Sequence, residues 1–309
     1  MSNESTIREA RHQERQLFLE RYPLREIEVN GVPWSYIAGG QGDTTILWLH
    51  GAAGDAHQLQ RFIVPLAEET RFVAPTIPVV DRLEDVSQGI AVILAKENVD
   101  RLIVAGGSFG GMLAQAVARD RSARLEGLML FDTAAPNANL AKRNRRKMAV
   151  LRHLPWPLLQ WLFAKSLGRL LRLPGDLTEE QRVDLKLATE RFRENFSLLT
   201  KERLLAHCAL AYEFLASDPH AVHRSGPTLV IRSKDDPSQA GLTGLETLYP
   251  QARLIEFDGV GHLGSLLRCE DYLSAFREFI EARGVCTAEQ SPPDVTVRVG
   301  AAVTSAPPS

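Results

Sequence analysis

A chain of 309 residues with 44% hydrophobic and 24% charged residues is long enough for one large globular domain with an insertion. Its formal net charge of -2 leaves no electrostatic footprint for nucleic acid. The three cysteines, Cys208, Cys269 and Cys286, lack the spacing of a metal knuckle, a redox pair or a disulfide framework, so a reducing, cytoplasmic compartment is expected.

The first residues carry Glu4, Arg8, Glu9, Arg11, Glu14 and Arg15 where a secretory signal would be apolar, and they read as a helix over 3–20 with a structural role. REIEV (25–29) and WSYIA (34–38), joined through Asn30-Gly31, predict an antiparallel hairpin. From Thr44 the pattern changes to apolar strands alternating with helical spacing. The strands are 44–50, 71–75, 102–105 and 125–131, and the helices between them span 56–69, 83–98 and the segment after Phe109. That rhythm predicts an α/β fold, a mostly parallel sheet with helices on both faces.

After Asp132 the strands stop, and residues 134–224 read as an inserted helical cap. The apolar stretch around Trp156, Trp161 and Phe163 is broken by Lys165, Arg169 and Arg172, which forbids a transmembrane span and suits packing on a core or lining a pocket. His220 and His223 form the one close histidine pair, but further ligands are wanting, and no metal or cofactor is expected. Strands at 228–232 and 252–257 and a last helix over 265–283 restore the sheet pattern. The end of the chain, rich in Pro, Ser and small residues, is expected to lack stable structure.

Within this frame, Gly106-Gly107-Ser108-Phe109-Gly110 is a G-x-S-x-G match between a strand and a helix. A nucleophile held in a tight strand-to-helix turn leaves no space for side chains two positions before and after it, which explains the glycines. Serine at 108 rules out the dinucleotide fingerprint G-x-G-x-x-G, and a phosphate loop would need G-K-[ST]. A serine needs a base. His262, in Asp258-Gly259-Val260-Gly261-His262 after the last strand, can take its proton at neutral pH if a carboxylate orients the ring. Ser233-Lys234-Asp235-Asp236-Pro237 follows the preceding strand and offers two such carboxylates. The small-residue loop His50-Gly51-Ala52-Ala53-Gly54 can bring a backbone N–H to a developing oxyanion, and the N–H groups of Ala52 and Phe109 are the expected donors. His50 would brace that loop.

WLHGAAG, AGGSFGGMLAQ, IRSKDDP and GVGHLGS, in this order around a helical insertion, resemble the α/β-hydrolase family over about residues 24–283. More narrowly, APTIPVVDRLEDVSQGI, GGSFGGMLAQAVARD and LETLYPQARLIEFDGVGHLGSLLRCEDY are similar to its maspardin-like branch, whose animal members are regarded as binding partners or adaptors. The resemblance implies a hydrolase core at 24–133 and 225–284, an N-terminal helix at 1–23, the cap at 134–224 and the tail at 285–309. It also implies a catalytic triad of Ser108, His262 and an aspartate. The family's usual G-x-x-D-P places Ser233 at the glycine and Asp236 at the acid, with Asp235 as the alternative one residue earlier. The function expected is that of a carboxylesterase-like serine hydrolase forming an acyl-enzyme on a small-molecule acyl substrate. A non-catalytic adaptor is the alternative, as are acyl transfer, perhydrolysis, C–C hydrolysis or a lyase reaction on the same scaffold.

Overall fold

The computed structural model describes residues 3–119, 124–170, 177–219, 226–236, 244–285 and 297–298. The chain opens with a helix, α1 (Asn3–Arg21), followed by β1 (Arg25–Val29) and β2 (Val32–Gly40). These strands pair antiparallel, and the turn between them uses positive φ at Asn30 (53°) and Gly31 (77°), the backbone that the Asn-Gly pair favours. β3 (Thr45–Leu49), β4 (Arg71–Thr76), β5 (Arg101–Gly107), β6 (Arg124–Phe131), β7 (Thr228–Ser233) and β8 (Arg253–Phe257) run parallel to one another. With Val297–Arg298 as a two-residue β9 beside β8, the sheet order is β1-β2-β4-β3-β5-β6-β7-β8-β9. Those two residues lie in the tail expected to lack structure, as does Val285, which ends the last helix; residues 286–296 and 299–309, Cys286 included, lie outside the described residues, as do His220 and His223.

Both faces of the sheet's centre are covered, so strands such as β3 are apolar at successive positions instead of at alternate ones. Leu47, Leu49, Val104, Leu130 and Val230 enter one core, against α3 (Leu83–Lys96), α4 (Phe109–Arg119) and α8 (Lys201–Ala216). Ile46, Trp48, Ile103, Phe131 and Ile231 enter the other, against α2 (Gln60–Leu66) and the last helix. Side chains of this kind each contribute about 1.5–3 kcal/mol when fully buried. The last helix is interrupted: a 3-10 turn (Gly261–Leu263) and a short α10 (Gly264–Leu267) precede α11 (Cys269–Val285), while α9 (Leu245–Leu248) is a single turn. α2 is also shorter than its helical spacing over 56–69 predicts. Residues 55–60 instead close i→i−3 turns, Gln58 N donating to Asp55 O at 3.1 Å and Gln60 N to His57 O at 3.2 Å, while Gln58 Oε1 accepts from Gly51 N at 2.7 Å and ties this segment to the loop after β3.

Between β6 and β7 the described residues form four helices, α5 (Ala138–Leu151), α6 (Trp156–Leu170), α7 (Glu179–Ser197) and α8. Thr178 opens α7 with a capping box, its hydroxyl accepting from Gln181 N while the Gln181 side chain accepts from Thr178 N. α8 buries Leu210, Phe214 and Leu215 in the sheet's own core, so the insertion returns to the body before the chain reaches β7. Across the other side, α1 is tied to α7 by Arg8–Glu190 (2.6 Å) and Arg11–Asp184 (3.0 Å).

Candidate active site

β3, β4 and β5 set the location. β4 lies on one side of β3 and β5 on the other, so the loops leaving β3 and β5 diverge and open a crevice at their carboxyl ends. Ser108 stands there, between the end of β5 and the start of α4, with φ at 52°, a backbone that a non-glycine residue adopts at a cost of roughly 1–3 kcal/mol. Hydrogen bonds hold it: its N–H donates to Phe131 O at 3.1 Å, and its carbonyl accepts from Gly111 N (3.1 Å) and Thr133 Oγ1 (2.6 Å). The glycines of the motif are forced by contact. A Cβ at Gly106 would collide with the Gly110 carbonyl, and one at Gly110 with the Leu49 carbonyl.

His262 reaches Ser108 from the 3-10 turn beyond β8, its Nε2 lying 3.0 Å from Ser108 Oγ. Its Nδ1 lies 2.7 Å from Oδ2 of the buried Asp236, the geometry in which Nδ1–H donates to the carboxylate and Nε2 is left to accept from serine. Asp235, the alternative acid, faces elsewhere. Its Oδ1 accepts from Gly259 N (3.1 Å), Gly261 N (3.2 Å) and the Ser233 hydroxyl, which ties it to the loop that carries His262. Ser233 is fully buried at the position where the family has glycine, as the register through Asp236 requires.

Burial opposes a charge on His262, but the Asp236 hydrogen bond and charge, with a further pull from Asp132, outweigh it and hold its pKa above the ordinary 6.5. Asp132 carries no signal of a role at the site in the sequence. It ends β6 with φ at 46°, accepts from the Tyr272 hydroxyl at 3.0 Å, and is pushed up to about 7 by burial, against the pull of His262 and with the help of Asp236. Its partner Tyr272 comes from α11, so neither neighbour is readable locally.

The loop after β3 is braced on several sides. His50 Nδ1 donates to Gly51 O at 2.8 Å while its Nε2 accepts from Ile77 N at 3.0 Å, and burial keeps the ring neutral by lowering its pKa. From α8, Arg203 donates to Gly54 O at 2.7 Å, and His207, pushed down to about 3 by burial, stacks on Phe109 with ring centroids 5.1 Å apart. Among the described residues no protein acceptor takes the N–H of Ala52 or of Phe109. Ala52, Ser108, Asp132 and His262 line one cavity of about 390 Å³, with Phe163 and Phe192 of the insertion on its far wall. No cluster of three metal-ligating side chains occurs among the described residues, and no helix among them is long and apolar enough to cross a membrane.

The model of the alpha/beta hydrolase family matches residues 46–275. No curated protein matches the chain significantly. Among solved structures, the chain is similar to a thermophilic esterase from Thermogutta terrifontis (22% identity, TM-score 0.63, 84% of this chain and 98% of that one). It is similar also to an enol-lactonase from Burkholderia xenovorans (17%, 0.65, 83% and 100%) and to a meta-cleavage product hydrolase from Pseudomonas fluorescens (20%, 0.58, 84% and 97%). At these identities the likeness is one of fold, and nothing among the matches singles out the maspardin-like branch. With its sheet, its crevice and a match over most of its length, the chain belongs to the alpha/beta hydrolase family.

Proposed function

We propose that the protein is a carboxylesterase-like serine hydrolase of the cytoplasm that works through an acyl-enzyme. The observation that carries this reading is the continuous relay from Ser108 Oγ to His262 Nε2 (3.0 Å) and from His262 Nδ1 to Asp236 Oδ2 (2.7 Å). Ser108 Oγ attacks the substrate carbonyl as His262 takes its proton, and the Asp236 carboxylate keeps the ring in the tautomer that can accept it. The N–H groups of Ala52 and Phe109, without protein acceptors, are suited to the oxyanion that forms. His262 then gives the proton to the departing alcohol, leaving an acyl-serine. Water adds to this ester with His262 as base, and its collapse returns the acid and the free Ser108 hydroxyl. The four helices between β6 and β7 act as the cap that closes the acyl pocket.

A binding-only adaptor has no use for a buried acid, a base and a strained serine in line, and this weighs against that alternative. Covalent labelling of Ser108 by a fluorophosphonate, lost in Ser108→Ala, is the expected result. An intact protein that neither labels nor turns over short esters would overturn the reading. Product analysis in water and in added alcohol distinguishes hydrolysis from acyl transfer, since both nucleophiles compete for one intermediate.

A further inference from the structure

The cavity that Ser108 opens into is bordered by three arginines from three different helices: Arg15 of α1, Arg61 of α2 and Arg191 of α7. All three are partly buried, where solvent and salt screen them less than on an open surface. Their carboxylate partners are too few. Arg61 pairs with the buried Asp184 (2.7 Å), which it shares with Arg11 (3.0 Å), an arginine that also reaches Glu14 and Glu180. Arg15 donates to the neutral Gln60 side chain at 2.9 Å, and Arg191 to the Leu187 carbonyl at 3.3 Å; among the described residues neither has an ion pair.

The acids that line the cavity do not make up the difference. Asp55 is engaged by the His57 N–H and by Asn195 Nδ2 (3.2 Å), and its charge also acts on Arg203 outside the cavity. Asp132, the other acid of the lining, is pushed up to about 7 by burial. The arginines act on each other. Burial first, then the charges of Arg15 and Arg61, lower the pKa of Arg191, opposed by Asp184 and Glu194. A surplus of fixed positive charge therefore faces a cavity whose other wall, with Phe163, Phe192 and Leu266, is apolar.

We propose that the substrate is an acyl compound carrying an anionic oxyacid group, a carboxylate or phosphate, held by Arg15 and Arg191 while its apolar stem lies along the phenylalanines. Guanidinium groups suit such an anion because their N–H donors form paired, charge-assisted hydrogen bonds to its oxygens. Arg191 and Asn195 stand four residues apart on α7 and so share a face, which lets the second N–H of the Asn195 amide, the first being given to Asp55, complete the anion's contacts. The N-terminal helix thereby contributes to the binding site through Arg15 in addition to fastening α7.

This assignment rests on Ser108 marking the reactive end of the cavity, and its test is independent of turnover. Full-length Ser108→Ala protein is titrated calorimetrically with monomethyl glutarate, with methyl 3-phosphonopropanoate and with the neutral methyl pentanoate. At least one anionic probe should bind about tenfold or more tightly than the neutral one, a difference of about 1.4 kcal/mol. Adding Arg15→Gln and Arg191→Gln should collapse that ratio to within about twofold of unity, while Arg15→Lys with Arg191→Lys should restore part of it. If the double glutamine variant fails to fold, as read by its thermal midpoint, Arg191→Gln alone must lower the ratio. Equal affinities for charged and neutral probes, or a ratio that survives loss of the arginines, overturns the proposal. Fluorophosphonate labelling of the wild-type chain reports separately on the hydrolase reading, so either can fail alone.

Discussion

The parallel sheet and the helical insertion are built to different tolerances. Every residue of β3 is buried, and successive side chains of the central strands enter two closed cores, so a shift along the sheet would meet packed neighbours at once. In the insertion the separate core is small, formed by Leu159, Leu199 and Leu204 against Ala53 of the loop after β3 with partly buried neighbours, while Val150, Trp161 and Leu198 stand exposed. The proton relay hangs on the tight part, at the ends of β5 and β7 and in the turn after β8. The far wall of the cavity hangs on the loose part. Changes at the sheet should therefore alter whether reaction occurs, and changes in the insertion should alter which substrate reacts.

The largest effect is expected at Ser108. Removing the nucleophile of such a relay costs on the order of 10⁶ in kcat, and Ser108→Ala should do so with an unchanged thermal midpoint, since only one hydroxyl is lost. Steady-state turnover of a short ester checks it. Retention of a tenth of the activity would break the division between sheet and insertion at its strongest point.

The next effect separates two adjacent carboxylates in one loop. Asp236→Asn removes the acceptor of His262 Nδ1–H, leaves the ring in the wrong tautomer and should lower kcat by about 10⁴. Asp235→Asn disturbs the bonds to Gly259 and Gly261 that hold the histidine loop and the one to the Ser233 hydroxyl, and a loss of about tenfold is expected from loosened placement. Measured side by side, the two should differ by orders of magnitude; reversed ranks would show that Asp235 moves onto the histidine in solution.

A smaller effect lies in the pH profile. His262 must be neutral to accept the serine proton, and its pKa is held above 6.5, so kcat/KM should rise with pH through a midpoint above that value. Asp132 is one of the charges that raise it, and Asp132→Asn should move the midpoint down with the plateau little changed. An acid limb centred below 6.5 would contradict the arrangement around the ring.

How far these features were legible differs in the same way between the two regions. The elbow at Ser108 could be read because Gly106 and Gly110 are required by contacts within a few residues. The choice of Asp236 could be read because Ser233 must be small where β7 ends, a local condition again. Asp132 could not, since its character comes from burial beneath Tyr272, which lies 140 residues further along the chain. Nor could Arg15. On its own helix it is one charge among many, and only the pairing of α1 with α7 turns it toward the cavity. The start of α2 could not be read either, because helical spacing does not distinguish an α-helix from the i→i−3 turns that residues 55–60 form.

The mildest prediction tests the insertion itself. Phe192 and Phe163 line the cavity, and Phe196 stacks on both, with centroid distances of 5.6 Å and 5.8 Å, so the wall is a small aromatic layer carried by α6 and α7. Shortening Phe192 to Ala leaves its neighbours supported by Phe196 and opens space opposite Ser108. The preferred acyl chain should lengthen, with kcat/KM rising for longer esters and falling for short ones by about tenfold at most, the scale on which apolar pockets tell methylenes apart. Trp161, exposed on α6 and outside the cavity lining, serves as the comparison, and Trp161→Ala should leave the chain-length profile in place. A series of p-nitrophenyl esters from acetate to decanoate reads both. If Phe192→Ala lowered turnover uniformly across the series, α7 would be positioning the relay and not measuring the substrate, as α8 already braces the loops at Gly54 and Phe109.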